Sequence, residues 1–150
     1  MKNILILNGS PRKNGNTQKL VRAFIQGATE SGNHVEEFYL QNMNLHGCMG
    51  CGGCSKSGAN PENPCVQKDD MQKIYESFAR SKIVVFASPV YFWSITGTLK
   101  TAADRLYAEL RVLGYEKFPR SGILLMTAGG SDYSQAVSWY RHYSMHLGWT

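Results

Sequence analysis

The sequence predicts an α/β fold, a doubly wound parallel sheet with helices on both faces. Two observations predict it. Short apolar runs alternate with amphipathic stretches of helical spacing, the pattern of consecutive βαβ units. A turn rich in Gly, Pro and Asn also separates the first apolar run from the first helical stretch, where such sheets carry ligand loops. At 150 residues the chain is expected to form one domain, residues 1–150, long enough to bury a core without staples. Its 43% hydrophobic and 18% charged residues are ordinary for a soluble globular protein.

Ile4-Leu5-Ile6-Leu7 is a continuous apolar run, as expected of a strand covered on both faces. From Thr17 to about Ser31, residues Leu20, Val21, Phe24, Ile25 and Ala28 recur at helical spacing, and Gly32-Asn33 stop that helix. Val35 to Leu40 read as a second strand, and Glu36 and Glu37 within it suggest an edge position. Asp69 or Asp70 caps a helix with Met71, Ile74, Tyr75 and Phe78 on one face. Ile83 to Ala87 form the third buried strand. Leu99, Ala102, Ala103, Leu106 and Leu110 define one further helix, Ile123 to Met126 a fourth strand, and Asp132 caps a last helix reaching about Leu147. In a flavodoxin-like sheet these strands take the order 2-1-3-4, followed by a fifth that is missing here. The chain is therefore expected to be a C-terminally incomplete fragment, or to cover the open edge of strand four in another way.

The net charge is +5, but the basic residues are scattered in runs of no more than two. Such a bias suits phosphorylated anionic ligands, and no nucleic-acid-binding motif accompanies it. The run Ile4–Leu7 is far too short for a signal-peptide core or a membrane span. With four cysteines crowded into one stretch, a cytoplasmic location away from membranes is expected.

Gly9-Ser10-Pro11-Arg12-Lys13-Asn14-Gly15-Asn16-Thr17 joins the first strand to the first helix. Small and hydroxylated residues let backbone N–H groups point at a dianion, and the helix N-terminus adds positive potential. Ser10, Asn16 and Thr17 can donate side-chain hydrogen bonds to phosphate, and Arg12 either adds a charged donor or projects into water. The dinucleotide fingerprint G-x-G-x-x-G is absent. The triphosphate loop G-x-x-x-x-G-K-[ST] fails too, because Asn16 stands in place of its lysine and Ser88-Pro89 in place of its magnesium-holding aspartate. What remains is a loop for a single terminal phosphate.

The third strand runs into Ser88-Pro89-Val90-Tyr91-Phe92-Trp93-Ser94-Ile95-Thr96-Gly97. So many bulky side chains suit either a flat apolar ligand that stacks on aromatic rings or a loop packed on its own core. Thr127-Ala128-Gly129-Gly130 ends the fourth strand, and its glycines permit close approach of a ligand to the backbone.

With these loops in place, the chain resembles the NADPH-dependent FMN reductase and iron–sulfur flavoprotein group of the flavodoxin-like superfamily. The resemblance rests on N-G-S-P-R-x-x-G-N-T, the cysteine stretch leading into Lys68-Asp69-Asp70-Met71, S-P-V-Y-F-W-S-I-T-G-T-L-K, and T-A-G-G. It implies FMN with its phosphate on Ser10, Arg12, Asn16 and Thr17, and Pro89, Val90, Tyr91, Phe92 and Trp93 flanking the isoalloxazine. Thr127, Ala128, Gly129 and Gly130 would lie near its other edge. The resemblance also implies homodimers or homotetramers with flavin sites at or near a subunit interface.

Cys48-x-x-Cys51-x-x-Cys54, followed by Cys65, holds every cysteine of the chain. Four thiolates are the number that a 4Fe–4S cluster or a structural zinc requires, and the intervening glycines leave room for N–H···S bonds. Iron–sulfur flavoproteins carry a similar ligand run, usually with a shorter last gap, while many single-flavin relatives carry such a loop without a cluster. Cluster, zinc and free thiols all stay open.

The resemblance implies an NAD(P)H-dependent, FMN-containing oxidoreductase. Hydride passes from NAD(P)H to flavin, then electrons go on to a quinone, free flavin, small molecule or protein acceptor. The cofactor supplies the chemistry, so no residue is assigned as catalytic. His46, His142 and His146 are expected on surfaces or loops, and Tyr91 and Trp93 as stacking groups. Two other classes compete: an electron carrier without its own NAD(P)H turnover, though such carriers are usually acidic, and a redox- or metal-sensing module.

Overall fold

Four strands, β1 (Asn3–Asn8), β2 (His34–Tyr39), β3 (Ile83–Pro89) and β4 (Ser121–Thr127), pair in parallel in the order β2-β1-β3-β4. This is the expected flavodoxin-like arrangement, seen in a computed structural model that describes residues 1–56, 59–114 and 120–150. Helices α1 (Asn16–Glu30), α2 (Met71–Arg80), α3 (Gly97–Arg105), α4 (Tyr107–Leu113) and α5 (Ser134–His146) fill the connections.

Alternation along the central strands divides the core in two. Ile4 and Ile6 of β1 with Val85 and Ala87 of β3 pack on Val21 of α1. Leu5, Leu7, Val84 and Phe86 point the other way, onto Met71, Ile74, Tyr75 and Phe78 of α2 and onto α3, α4 and α5. Because β1 and β3 are covered on both faces, they read as unbroken apolar runs. The glutamates of β2 mark an edge strand, as expected, and Glu36 pairs there with Arg80 at 3.0 Å. Among the described residues no fifth strand is present. At the outer edge of β4, Thr150 alone takes up parallel pairing, donating to Arg120 O and accepting from Gly122 N–H.

Three expectations shift. The helix read across Leu99 to Leu110 is interrupted at Leu106, and the carbonyl of Arg105 accepts from Tyr75 Oη at 3.1 Å rather than closing the helical ladder. Asp70 is the N-cap of α2 but makes no capping bond; it is Asp69 whose Oδ1 accepts the Met71 N–H at 3.1 Å. Asp132 precedes the N-cap of α5, Tyr133, and accepts from Ser134 N at 2.9 Å. Among the described residues no helix is long and apolar enough to cross a membrane.

One buried ion pair pins the long β2–α2 connection that carries the cysteines. Arg105 reaches Asp69 with two bonds, at 2.8 and 3.1 Å, and both side chains are 1% exposed. Arg105 also donates to His46 O at 2.7 Å, while Asp69 accepts from His46 N at 3.0 Å. Burial alone would raise the Asp69 pKa. The hydrogen bonds from Arg105, His46 and Met71 outweigh it and hold the carboxyl below its ordinary value.

A carboxyl depressed in the folded state adds stability that is present above its unfolded pKa and is lost as pH falls through the folded value. Asp69→Asn is expected to cost roughly 3–5 kcal/mol at neutral pH, because Arg105 stays buried without its counter-charge. Its melting temperature should also fall less steeply in acid than that of the unsubstituted protein. Thermal melts from about pH 7 down to about pH 3 check both outcomes.

Candidate functional site

The loops leaving β1, β3 and β4 converge at the carboxyl edge of the sheet, beside the point where strand order reverses. Asn8 closes β1 fully buried. Its Nδ2 donates to Gln18 Oε1 at 2.6 Å and to Glu37 Oε1 at 2.7 Å, while its Oδ1 accepts the Ser10 N–H at 3.0 Å. Gly9 follows with its N–H on Ala87 O at 2.9 Å and its carbonyl on Thr96 Oγ1 at 2.9 Å. A Cβ at position 9 would stand 2.5 Å from Thr96 Oγ1 and 2.7 Å from Leu99 Cβ, so only glycine passes. Helix α1 then begins behind Gly15, an N-cap without a capping side chain. Its first-turn N–H groups are left for a ligand or water.

This geometry gathers most of the sequence-predicted residues. A cavity of about 270 Å³ is lined by Ser10, Arg12, Asn16 and Thr17, by Pro89, Val90 and Tyr91, and by Thr127, Ala128 and Gly129. Phe92, Trp93 and Gly130 line a neighbouring cavity of about 440 Å³, which shares Val90, Ala128 and Gly129 with the first. Thr17 is buried with Oγ1 2.7 Å from Thr127 Oγ1, so one hydroxyl proton holds the pair and the other is left for a ligand. Val90 N donates to Thr127 O at 2.8 Å and locks the β3 and β4 loops together.

The aromatic segment is not packed on the core. Tyr91 and Ser94 exchange backbone hydrogen bonds at 2.9 and 3.1 Å around Phe92 (φ 46°) and Trp93 (φ 62°). Both central residues are left-handed, as in a type I′ turn, where Asn and Gly are favoured. Each bulky residue there costs roughly 1–2 kcal/mol. Tyr91, Phe92 and Trp93 are 46%, 92% and 53% exposed. Strained backbone thus presents large apolar rings to solvent beside both cavities.

Cys48, Cys51, Cys54 and Cys65 line one narrow cavity of about 30 Å³ with Arg105 and Tyr107. The first two are exposed and the others half-buried. Gly50 and Gly52, at φ 64° and 69°, provide the left-handed turns between the sulfurs. Among the described residues no group of three or more His, Cys, Asp or Glu side chains stands where it could hold a metal ion. The histidines expected outside the site, His46, His142 and His146, are exposed.

Sequence reasoning missed Asn8, the Gly9–Thr96 contact and Arg105. Asn8, Gly9 and Thr96 stand within the motifs quoted above with none of these contacts read from them, and Arg105 left a charge set among the apolar series Ala102, Ala103 and Leu106.

Residues 2–149 match the NADPH-dependent FMN reductase family, and the chain belongs to it. It is 39% identical over 106 residues to an iron–sulfur flavoprotein of Archaeoglobus fulgidus, covering 71% of this chain and 46% of that protein. A Bacillus subtilis protein, whose name proposes an NAD(P)H-dependent FMN-containing oxidoreductase, is 31% identical over 109 residues, covering 72% of this chain and 54% of the other. The chain spans about half the length of the curated relatives it matches. Among solved structures, the NAD(P)H:quinone oxidoreductase from Methanothermobacter marburgensis shares the fold at TM-score 0.70 and 19% identity, covering 98% of this chain and 75% of that one.

Relief of the turn strain gives a direct check. Trp93→Gly is expected to raise folding stability by up to about 1 kcal/mol in urea titrations, because glycine adopts φ > 0 freely. The same substitution should weaken the binding of planar aromatic ligands, read by fluorescence quenching.

Proposed function

We propose that the chain binds FMN and acts as an NAD(P)H-dependent oxidoreductase that delivers electrons to a quinone, free flavin, other small molecule or protein. The observation that carries this reading is the pairing of an uncapped helix start and hydroxyl-lined loop with an exposed aromatic turn across two adjoining cavities that share Val90, Ala128 and Gly129. The donor chemistry fits the cofactor. Ser10, Asn16, Thr17 and the first N–H groups of α1 would hold the phosphate, and Arg12 would offset its charge. Pro89, Val90, Tyr91, Phe92 and Trp93 would flank the ring, and the backbone of Thr127 to Gly130 would meet its far edge. The chemistry that a bound flavin would supply there is hydride acceptance and one- or two-electron transfer.

The chain's own residues orient and shield. Thr17 and Thr127 couple the phosphate loop to the β4 loop, and Val90 fixes the aromatic segment to the same strand end. Exposed Phe92 and Trp93 support assembly into homodimers or homotetramers near the flavin sites, since apolar rings at a strained turn gain most from being covered. Free thiols suit a reducing, cytoplasmic setting.

A second centre on the cysteines is favoured by one observation: all four cysteines border the same cavity, next to a buried arginine. The donor set fits a thiolate-bound metal, and such sites commonly close only when metal binds. Cys48, Cys51, Cys54 and Cys65 would hold a 4Fe–4S cluster, consistent with the iron–sulfur flavoprotein names of relatives.

FMN and riboflavin, titrated against flavin fluorescence, test the phosphate loop. FMN is expected to bind at least tenfold tighter, about 1.4 kcal/mol, and Asn16→Ala with Thr17→Val should erase most of that margin. Equal affinity for the two flavins refutes the assignment. Turnover of NAD(P)H with a quinone, absent without FMN, separates the oxidoreductase from a carrier.

A further inference from the structure

A cavity of about 680 Å³ is walled by α2, by α4 and by the turn of residues 60–63. Among the described residues it shares no wall with the two cavities assigned to the cofactor. Two acceptors on its walls lack a donor. Glu109 of α4 is 1% exposed, and its buried Oε2 makes no hydrogen bond. Gln72 of α2 spends its Nε2 on the Glu62 carbonyl, which fixes the orientation of the amide. Its Oε1 is therefore the acceptor, also buried and without a partner. Native structures keep few buried polar groups unmet, and a carboxylate is the costliest kind to keep.

The charges around the cavity favour a cation. Glu62 and Glu76 add negative charge to its wall, while Arg80 is paired with Glu36 at 3.0 Å. Arg120 attracts Glu109, but it is not among the described lining residues and donates to the carbonyls of Ser81 and Phe78. Burial outweighs that attraction and pushes the Glu109 carboxyl up to about 7. Pro61, Leu113 and the ring of Tyr75, whose hydroxyl is spent on Arg105 O, supply apolar faces.

We propose that this cavity binds a small amidinium or guanidinium compound with a short apolar body, held by the Glu109 carboxylate and Gln72 Oε1. A planar fork of N–H donors satisfies two acceptors at once, and its charge strengthens both bonds. The assignment stands apart from the flavin reading.

Benzamidine, titrated into the isotopically labelled full chain at about pH 8 with and without FMN, tests this by amide chemical shifts. Saturable shifts at Gln72, Glu109 and Leu113 are the expected result. Benzamide has the same shape without the charge, and should bind roughly tenfold more weakly or worse. At about pH 6 Glu109 takes up a proton, which should weaken benzamidine and leave benzamide unchanged. Glu109→Gln should bring the two affinities together. Gln72→Met leaves every charge in place and should weaken benzamidine severalfold. In the unsubstituted protein alone, benzamide binding as tightly as benzamidine overturns the proposal. So does benzamidine that shifts no amide of α2 or α4, or only amides of residues 89–93 and 127–130.

Discussion

The site depends on how closely Gly9 passes the start of α3. β1 and β3 are adjacent strands, about 4.8 Å apart, so the loops leaving them must diverge or share space. They share it. The Gly9 N–H is taken by β3 through Ala87, and its carbonyl by Thr96, the N-cap of α3. The phosphate loop therefore lies against the aromatic loop, and polar and apolar walls face each other across one cavity. A side chain at position 9 would collide with both Thr96 and Leu99 and push the two walls apart.

Strain and order are distributed unequally around that cavity. On the β1 side, Asn8, Gln18 and Glu37 form a tight polar cluster that fixes Ser10. On the β3 side, two consecutive aromatic residues occupy left-handed backbone with their rings in solvent. Ser88 Oγ accepts the Thr96 N–H at 3.0 Å, and the Tyr91–Ser94 bonds clamp the turn. The central strands, buried on both faces, supply the stability that keeps such a turn populated. Strain held at a ligand edge by a rigid scaffold is a common mark of preorganised binding.

The cysteine stretch is anchored differently, by charge. A buried ion pair is weak evidence for stability, because desolvation offsets much of its attraction. Its geometric selectivity is strong, since two bonds from Arg105 to Asp69 admit few alternative placements of the loop. That guanidinium, on α3, ties the connection beside the packing of Met43, Leu45, Cys54 and Cys65 on the core.

By itself, the sequence determined the order of elements and the location of the ligand loops. Doubly buried strands must be continuously apolar, helices repeat their apolar residues every three or four positions, and phosphate loops need small, hydroxylated residues at a helix start. Each of these is a local constraint, visible in Ile4–Leu7, in Leu20 to Ala28 and in Gly9–Thr17. Only the tertiary structure decided that Phe92 and Trp93 leave the core, that Arg105 pairs with Asp69, and that Gly9 must lack a side chain. Those outcomes join residues 36 and 87 positions apart. Local periodicity does not encode contacts at such separation; the packing of strands and helices does.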